Sequence, residues 1–205
     1  MPTNRPSALE SPARVQRRKP ESLAKLKRAA RKLFVERGYH ATRPQDIARQ
    51  ADLGHGTFYL HFPDKRACFL GFVDDARREL DGYVRDRIRG ETSLDNLIAG
   101  TLDAIYDYSE THPGVLAAAL GDEGVIAAEG SQETPLLMRW GDDWAETLRQ
   151  AARDGRAAGD YDFAIIGQAV VGLIHQASME GYRSKRNRKR VTENLAKFLV
   201  RALKP

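Results

Sequence analysis

Apolar residues recur along this chain at spacings of three and four from Glu21 almost to the C-terminus, and no stretch alternates apolar with polar. A spacing of three to four puts side chains on one face of an α-helix, whereas a half-buried strand needs a period of two. The chain is therefore expected to be all-α, with about nine helices. The first carries Leu23, Leu26, Ala30, Leu33 and Phe34 and closes at Gly38; two very short ones follow over about 44–51 and 55–61. Pro63 stops the third and opens a fourth through Phe69, Phe72, Val73, Ala76 and Leu80 to about Arg89. Later stripes run through Leu94–Tyr106, Val115–Leu120, Leu136–Ala152, Phe163–Tyr182 and Val191–Ala202.

Charge divides the chain unevenly. Residues 1–20 carry a net +4 and residues 21–66 a net +5, while 67–205 carry −4. A basic first third ahead of a mildly acidic remainder suggests an end that binds a polyanion. Residues 1–20 hold four prolines and no apolar periodicity, which predicts a disordered basic arm. Three segments follow: the arm, a small basic domain over 21–66 and a larger helical domain over 67–205. The most apolar stretch, Phe163–Ala177, spans 15 positions, short of the roughly 20 that a membrane helix requires. The first twenty residues lack the apolar run of a secretory signal. One cysteine, Cys68, cannot form an internal disulfide, and no His/Cys spacing suits zinc. A cytosolic protein without metal, cofactor or membrane association is expected.

Two short helices joined by the three-residue turn Asp52-Leu53-Gly54, inside the basic third, describe a helix-turn-helix. In that motif the second helix enters the major groove. Here it begins Gly54-His55-Gly56-Thr57 and continues Phe58-Tyr59-Leu60-His61. With Phe58 and Phe62 packed inward, His55, Gly56, Thr57, Tyr59, His61 and Lys65 remain outside. The five polar side chains among them can donate to phosphate or base edges. Gly54 and Gly56, lacking side chains, let the helix end approach the duplex, where backbone N–H groups can meet a phosphate.

The stretch AARKLFVERGYHATRPQDIARQADLGHGTFYLHFPDKRACF resembles the N-terminal domain of the TetR family of transcriptional repressors. Leu33-Phe34, Arg37-Gly38-Tyr39, Asp46-Ile47-Ala48, Thr57-Phe58-Tyr59, His61-Phe62 and Lys65 carry the resemblance, which covers about residues 21–70 without a gap. It implies that Tyr59, His61 and Lys65 hold phosphates, that Thr57 touches phosphate or base, and that Gln45 and His55 read bases. Gln pairs bidentately with adenine, and a His donor suits guanine N7 or O6. By the same resemblance Thr42 holds a phosphate at the edge. This chain departs from the family where a Ser or Thr caps the second helix: Arg43 and Pro44 stand there. The lost cap costs about 1 kcal/mol, Pro44 offsets part of it, and Arg43 is free to reach DNA. Each residue also has a plainer reading. Tyr59 can pack on the domain edge, His55, His61 and Gln45 can be ordinary surface groups, Cys68 a small core residue, and the basic arm a solvated tail.

A short recognition helix reads few base pairs, so a two-fold dimer on an inverted repeat is expected. Its interface is placed on the last two long helices, with Ile166, Val170, Leu173, Ile174, Leu195, Phe198 and Leu199 in contact and Gly167 and Gly172 allowing close approach. The resemblance implies the same four-helix bundle. It further implies a small apolar or aromatic effector among the middle helices, for which Phe72, Leu102, Tyr106, Leu116, Met138, Trp140, Trp144, His175 and Met179 are candidate linings. Stripes of this kind form ordinary helical core more often than they line a pocket. The expected function is a sequence-specific DNA-binding regulator of the repressor type, with a helix-turn-helix adaptor acting through protein contacts as the alternative. No Gly-rich phosphate loop and no nucleophile–base spacing argue for an enzyme.

Overall fold

The computed structural model describes residues 12–126 and 133–205, with the backbone alone for 12–18 and Glu123. The described residues form ten α-helices and no strand. In order these are α1 (Pro12–Arg37), α2 (Pro44–Gln50), α3 (His55–Tyr59), α4 (Lys65–Arg87), α5 (Leu94–Thr111), α6 (Val115–Gly121), α7 (Glu123–Ile126), α8 (Leu136–Arg153), α9 (Phe163–Arg183) and α10 (Arg188–Leu203). The helix beyond the expected nine is α7, a single turn too short to leave a periodic stripe.

One expectation is corrected at the start of the chain. Residues 1–11 lie outside the described residues, but 12–20 are helical, and α1 runs through Pro20. Pro12 occupies the first helical position, where its missing N–H is one of the donors left over anyway. Pro20 removes one hydrogen bond from a 26-residue helix. Reading prolines as breakers overlooked the helix-tolerant Val15, Gln16, Arg17 and Arg18 between them.

The described residues group into two compact units, one ending at Phe72 and the other starting at Val73. The boundary expected at 66/67 falls inside α4. In the first unit the stripe of α1 buries Leu26, Ala29, Ala30, Leu33 and Phe34 against Ile47, Ala48, Phe58, Phe62 and Phe69. Phe34 is the centre of an aromatic cluster, 5.2 Å from Phe69 edge-to-face and 5.5 Å from Phe72, an arrangement that adds to simple area burial. Cys68 lies inside this core, and burial pushes its thiol pKa up to about 12. Gly38 ends α1 with φ +74° and its N–H on the Phe34 carbonyl at 2.9 Å, the left-handed closure a glycine supplies at least cost.

The second unit has a core of Leu94, Ile98, Leu102, Leu148, Ala151, Val170, Ile174, Leu195, Leu199 and Leu203, drawn from α5, α8, α9 and α10. Side chains cap three of its helices at their first turns: Ser93 for α5, Asp162 for α9 and Asn187 for α10. The α8–α9 pair is the most extensive contact between helices. It depends on missing side chains: a Cβ added at Gly167 would sit 2.2 Å from the Gly141 carbonyl oxygen.

This packing revises the expected dimer surface. Val170, Ile174, Leu195 and Leu199 are spent on the chain's own core, and Ile166 and Leu173 pack against it. Gly167 makes its close approach to α8 within the chain, while Gly172 faces open space. The apolar stripe of a helix buried in its own unit looks the same in sequence as one that meets a second copy. The large apolar side chains that α9 and α10 leave exposed are Ile165, Met179, Tyr182 and Phe198, the last 60% exposed. Of the residues expected at the interface, only Phe198 is in that set.

Candidate nucleic-acid interface

Three short elements of the first unit build the site. Helix α2 starts with Pro44 at its first turn and Arg43 as its cap in extended backbone, and no side chain caps it, as the Arg43-Pro44 pair leads one to expect. Ile47 and Ala48 face inward, leaving Arg43 and Gln45 exposed. The turn then reverses the chain: the Leu53 N–H donates to the Ala48 carbonyl at 3.0 Å, and Asp52 takes φ +56°. Aspartate is among the few non-glycine residues that enter this left-handed region readily. Gly54, in extended backbone, then starts α3.

Helix α3 is anchored by one residue. Phe58 is fully buried, so the rest of the five-residue helix is turned outward. His55 and Gly56 are exposed, Thr57 is half-buried, and Tyr59 is 49% exposed with its ring edge-on to His55 at 5.2 Å. Gln45, Arg49, Asp52, Leu53, Gly54 and His55 line an open cleft of about 420 Å³ between α2 and α3. The structure therefore brings Gln45, Gly54 and His55 to one surface.

His61 and Lys65 are held by neighbours. His61 Nε2 lies 2.7 Å from Ser22 Oγ on α1. Desolvation, and then the Lys19 ammonium, hold the ring's pKa below the ordinary histidine value. The Lys65 ammonium donates to the Tyr39 carbonyl at 3.0 Å and lies 4.0 Å from the centre of the Tyr39 ring.

Thr42 is the correction at this site. It is completely buried, and its Oγ donates to the Gly38 carbonyl at 2.8 Å and lies 3.3 Å from the Leu33 carbonyl. A hydroxyl committed inside the fold cannot hold a phosphate at the edge. Thr42 ties the end of α1 to the start of α2 instead.

Ser22 and Arg49 were not singled out from the sequence. Arg49 stands one turn after Gln45 on α2, is largely exposed and pairs with Asp46, so the i+4 spacing could have found it. Ser22 meets His61 across 39 positions, a contact with no local signal.

The effector candidates divide between the two units. Phe72 belongs to the aromatic cluster of the first unit. In the second, Leu102 is in the core with Trp144 against it, Leu116 and His175 are half-buried, and Met138 and Met179 are exposed. Trp140 hydrogen-bonds Asp81, and Tyr106 lies under the Arg188 guanidinium with its buried hydroxyl unpartnered. Among the described residues no group of three or more His, Cys, Asp or Glu could hold a metal ion, and no helix is long and apolar enough to cross a membrane.

A buried anchor, a tight turn and an outward-facing second helix define a helix-turn-helix protein with an all-helical partner unit. Residues 26–71 match the family profile described as "Bacterial regulatory proteins, tetR family". Over 82 residues the chain is 30% identical to the HTH-type transcriptional activator FasR of Mycolicibacterium smegmatis, covering 40% of this chain and 37% of FasR. Over 135 residues it is 27% identical to the HTH-type transcriptional repressor KstR2 of Rhodococcus jostii, covering 63% and 65% of the two chains. These matches span less than two thirds of either relative. Solved structures share the fold: a fatty acid degradation regulator FadR from Bacillus halodurans has a TM-score of 0.71 at 17% identity over 86% of this chain and 93% of that one. A gamma-butyrolactone receptor (ArpA-like protein) has a TM-score of 0.66 at 22% identity, covering 92% and 90%. Over residues 26–71, then, this chain is similar to the tetR family of bacterial regulatory proteins.

Proposed function

We propose that this protein is a sequence-specific DNA-binding transcriptional regulator that binds an inverted-repeat operator as a homodimer in the bacterial cytoplasm and is released by a small apolar or aromatic effector. The observation that carries the reading is the outward face of α3, with His55, Gly56 and Tyr59 exposed over a buried Phe58 and with Gln45 beside them. In the proposed complex, Gln45 and His55 donate to base edges, while Arg43, Thr57, Tyr59, His61 and Lys65 meet the backbone and the Gly54–Gly56 turn approaches it closely. Basic residues concentrated ahead of position 67 support a polyanion partner.

The dimer reading now rests on the exposed apolar side chains of α9 and α10 and not on the stripe buried in the core. Effector release requires that the effector prefer the conformation that binds DNA poorly. The relatives include both an activator and a repressor by name, and repression is proposed here as the mode.

The test is a selection from random duplexes of about 30 bp at roughly 0.15 M salt, where non-specific binding is weak. An enriched inverted repeat is expected. A folded protein that enriches no motif would refute the operator reading and leave the adaptor alternative, a helix-turn-helix protein acting through protein contacts.

A further inference from the structure

The direction of the contact between His61 and Ser22 depends on where the serine proton goes. Ser22 Oγ lies 3.1 Å from the Lys19 carbonyl and donates to it, and lies 2.7 Å from His61 Nε2. A serine hydroxyl has one proton and a carbonyl has none. With that proton on the Lys19 carbonyl, the bond to His61 requires Nε2–H to donate to Ser22 Oγ. The neutral ring then carries its lone pair on Nδ1, which has no hydrogen-bond partner among the described residues.

A lone pair at Nδ1 cannot hold a phosphate, because both would be acceptors. We propose that Ser22 is a positioning residue that locks His61 with Nε2–H turned into the protein, so that His61 can hold a DNA phosphate only after Nδ1 takes up a proton, linking DNA binding to one proton per protomer. The inference rests on the DNA-binding reading above. It is consistent with the free protein, where desolvation and then Lys19 disfavour the protonated ring. A phosphate would reverse that balance, since an opposite charge favours the protonated form.

The charged groups nearby leave this role to His61. Lys19 and Ser22 meet it from α1. On its C-terminal side the Asp64 carboxylate accepts the Ala67 N–H at 2.7 Å, and Lys65 sits on Tyr39. On α2, Asp46 and Arg49 pair with each other. On α3, Tyr59 and His55 are ring neighbours.

The sign follows from proton uptake. In the free protein burial and Lys19 hold the His61 pKa below the ordinary histidine value, and the complex raises it. DNA affinity is therefore greatest at low pH and falls as pH rises from the free-protein pKa through the pKa of the complex. One proton changes affinity by at most about tenfold per pH unit for each protomer.

Two measurements test it. In the free full-length protein, long-range ¹⁵N–¹H spectra of the imidazoles should give His61 as the Nε2–H tautomer, and an Nδ1–H tautomer would overturn the proposal without touching the DNA-binding reading. Fluorescence anisotropy with a random-sequence 30-bp duplex, at low salt from pH 5.5 to 8.5, should give an affinity that falls with pH. Ser22→Ala, in which the ring is free to turn an N–H outward, should flatten the dependence, and His61→Gln should remove the same part of it. Equal pH slopes in wild type and Ser22→Ala overturn the positioning role. No binding by wild type at any pH overturns the DNA-binding reading itself and, with it, this proposal.

Discussion

Replacing Gly167 by alanine should do more damage than any other change of one methyl group in the second unit. The added Cβ would lie 2.2 Å from the Gly141 carbonyl oxygen, 2.7 Å from the Ala145 nitrogen and 2.9 Å from its Cβ. A carbon rests no closer than about 3.3 Å to a carbonyl oxygen, so α8 and α9 must separate by about 1 Å. Two of the three atoms it meets are backbone, and no rotamer change can relieve them. Overpacking of this sort costs about 1–3 kcal/mol, which for a domain this size lowers Tm by about 2–4 °C per kcal/mol. Alanine's better helix propensity returns at most about 1 kcal/mol. Two neighbouring substitutions calibrate the result. At Gly141 the added Cβ meets the Gln168 amide at 2.3 Å, a side chain that can swing away at the loss of its bonds to the Met138 carbonyl and Asp142. At Gly82, inside α4, nothing lies within 4 Å, and alanine should raise stability by a few tenths to about 1 kcal/mol. Thermal unfolding followed by circular dichroism should thus rank Gly167→Ala below Gly141→Ala, and both below Gly82→Ala. If Gly167→Ala unfolds at or above the wild-type temperature, the close crossing of α8 and α9 is wrong.

The remaining expectations concern the DNA face and the dimer. His55→Ala and Gln45→Ala should relax sequence preference by about 1–3 kcal/mol at one base pair each, whereas Tyr59→Phe weakens all duplexes alike; equal losses on specific and random DNA for His55→Ala would remove its base-reading role. Six to nine phosphate contacts give a log–log salt slope of about −5 to −8, and a flat titration would contradict the phosphate assignments. Thr42→Val should cost about 1–3 kcal/mol of stability, because the Gly38 carbonyl loses a buried donor. The folded Thr42→Val protein should bind DNA with unchanged affinity, and a selective loss of binding would restore Thr42 to the interface. Phe198→Glu places a charge on an exposed apolar face and should shift the protein toward its 22.9 kDa monomer in sedimentation; an unaltered dimer would move the interface elsewhere.

The outward surface of the helix-turn-helix was readable because its signals are local. Pro44, Asp52, Gly54 and Phe58 each act within a few residues, through a fixed φ, a tolerated left-handed turn, an open helix start and one inward ring. Together they settle which side chains of this segment point outward, Gln45, His55 and Tyr59 among them. Thr42 was misread because the same hydroxyl can serve a phosphate or a carbonyl, and the turn after α1 offers it the Gly38 carbonyl four positions back and the Leu33 carbonyl nine back. Lys65 on Tyr39 and His61 on Ser22 join residues 26 and 39 positions apart, distances over which periodicity carries no information.

From the sequence alone came the all-helical class, the helix-turn-helix, its outward side chains and the separation of basic from acidic parts, since helix period, turn chemistry and charge are properties of short segments. The tertiary structure alone decided which apolar stripe is spent at home. Val170, Ile174, Leu195 and Leu199 fill their own core, while Ile165, Met179, Tyr182 and Phe198 remain outside. A hydrophobic residue gains the same free energy from any apolar neighbour, so its spacing places it on a face but cannot say which helix, or which copy of the chain, will cover that face.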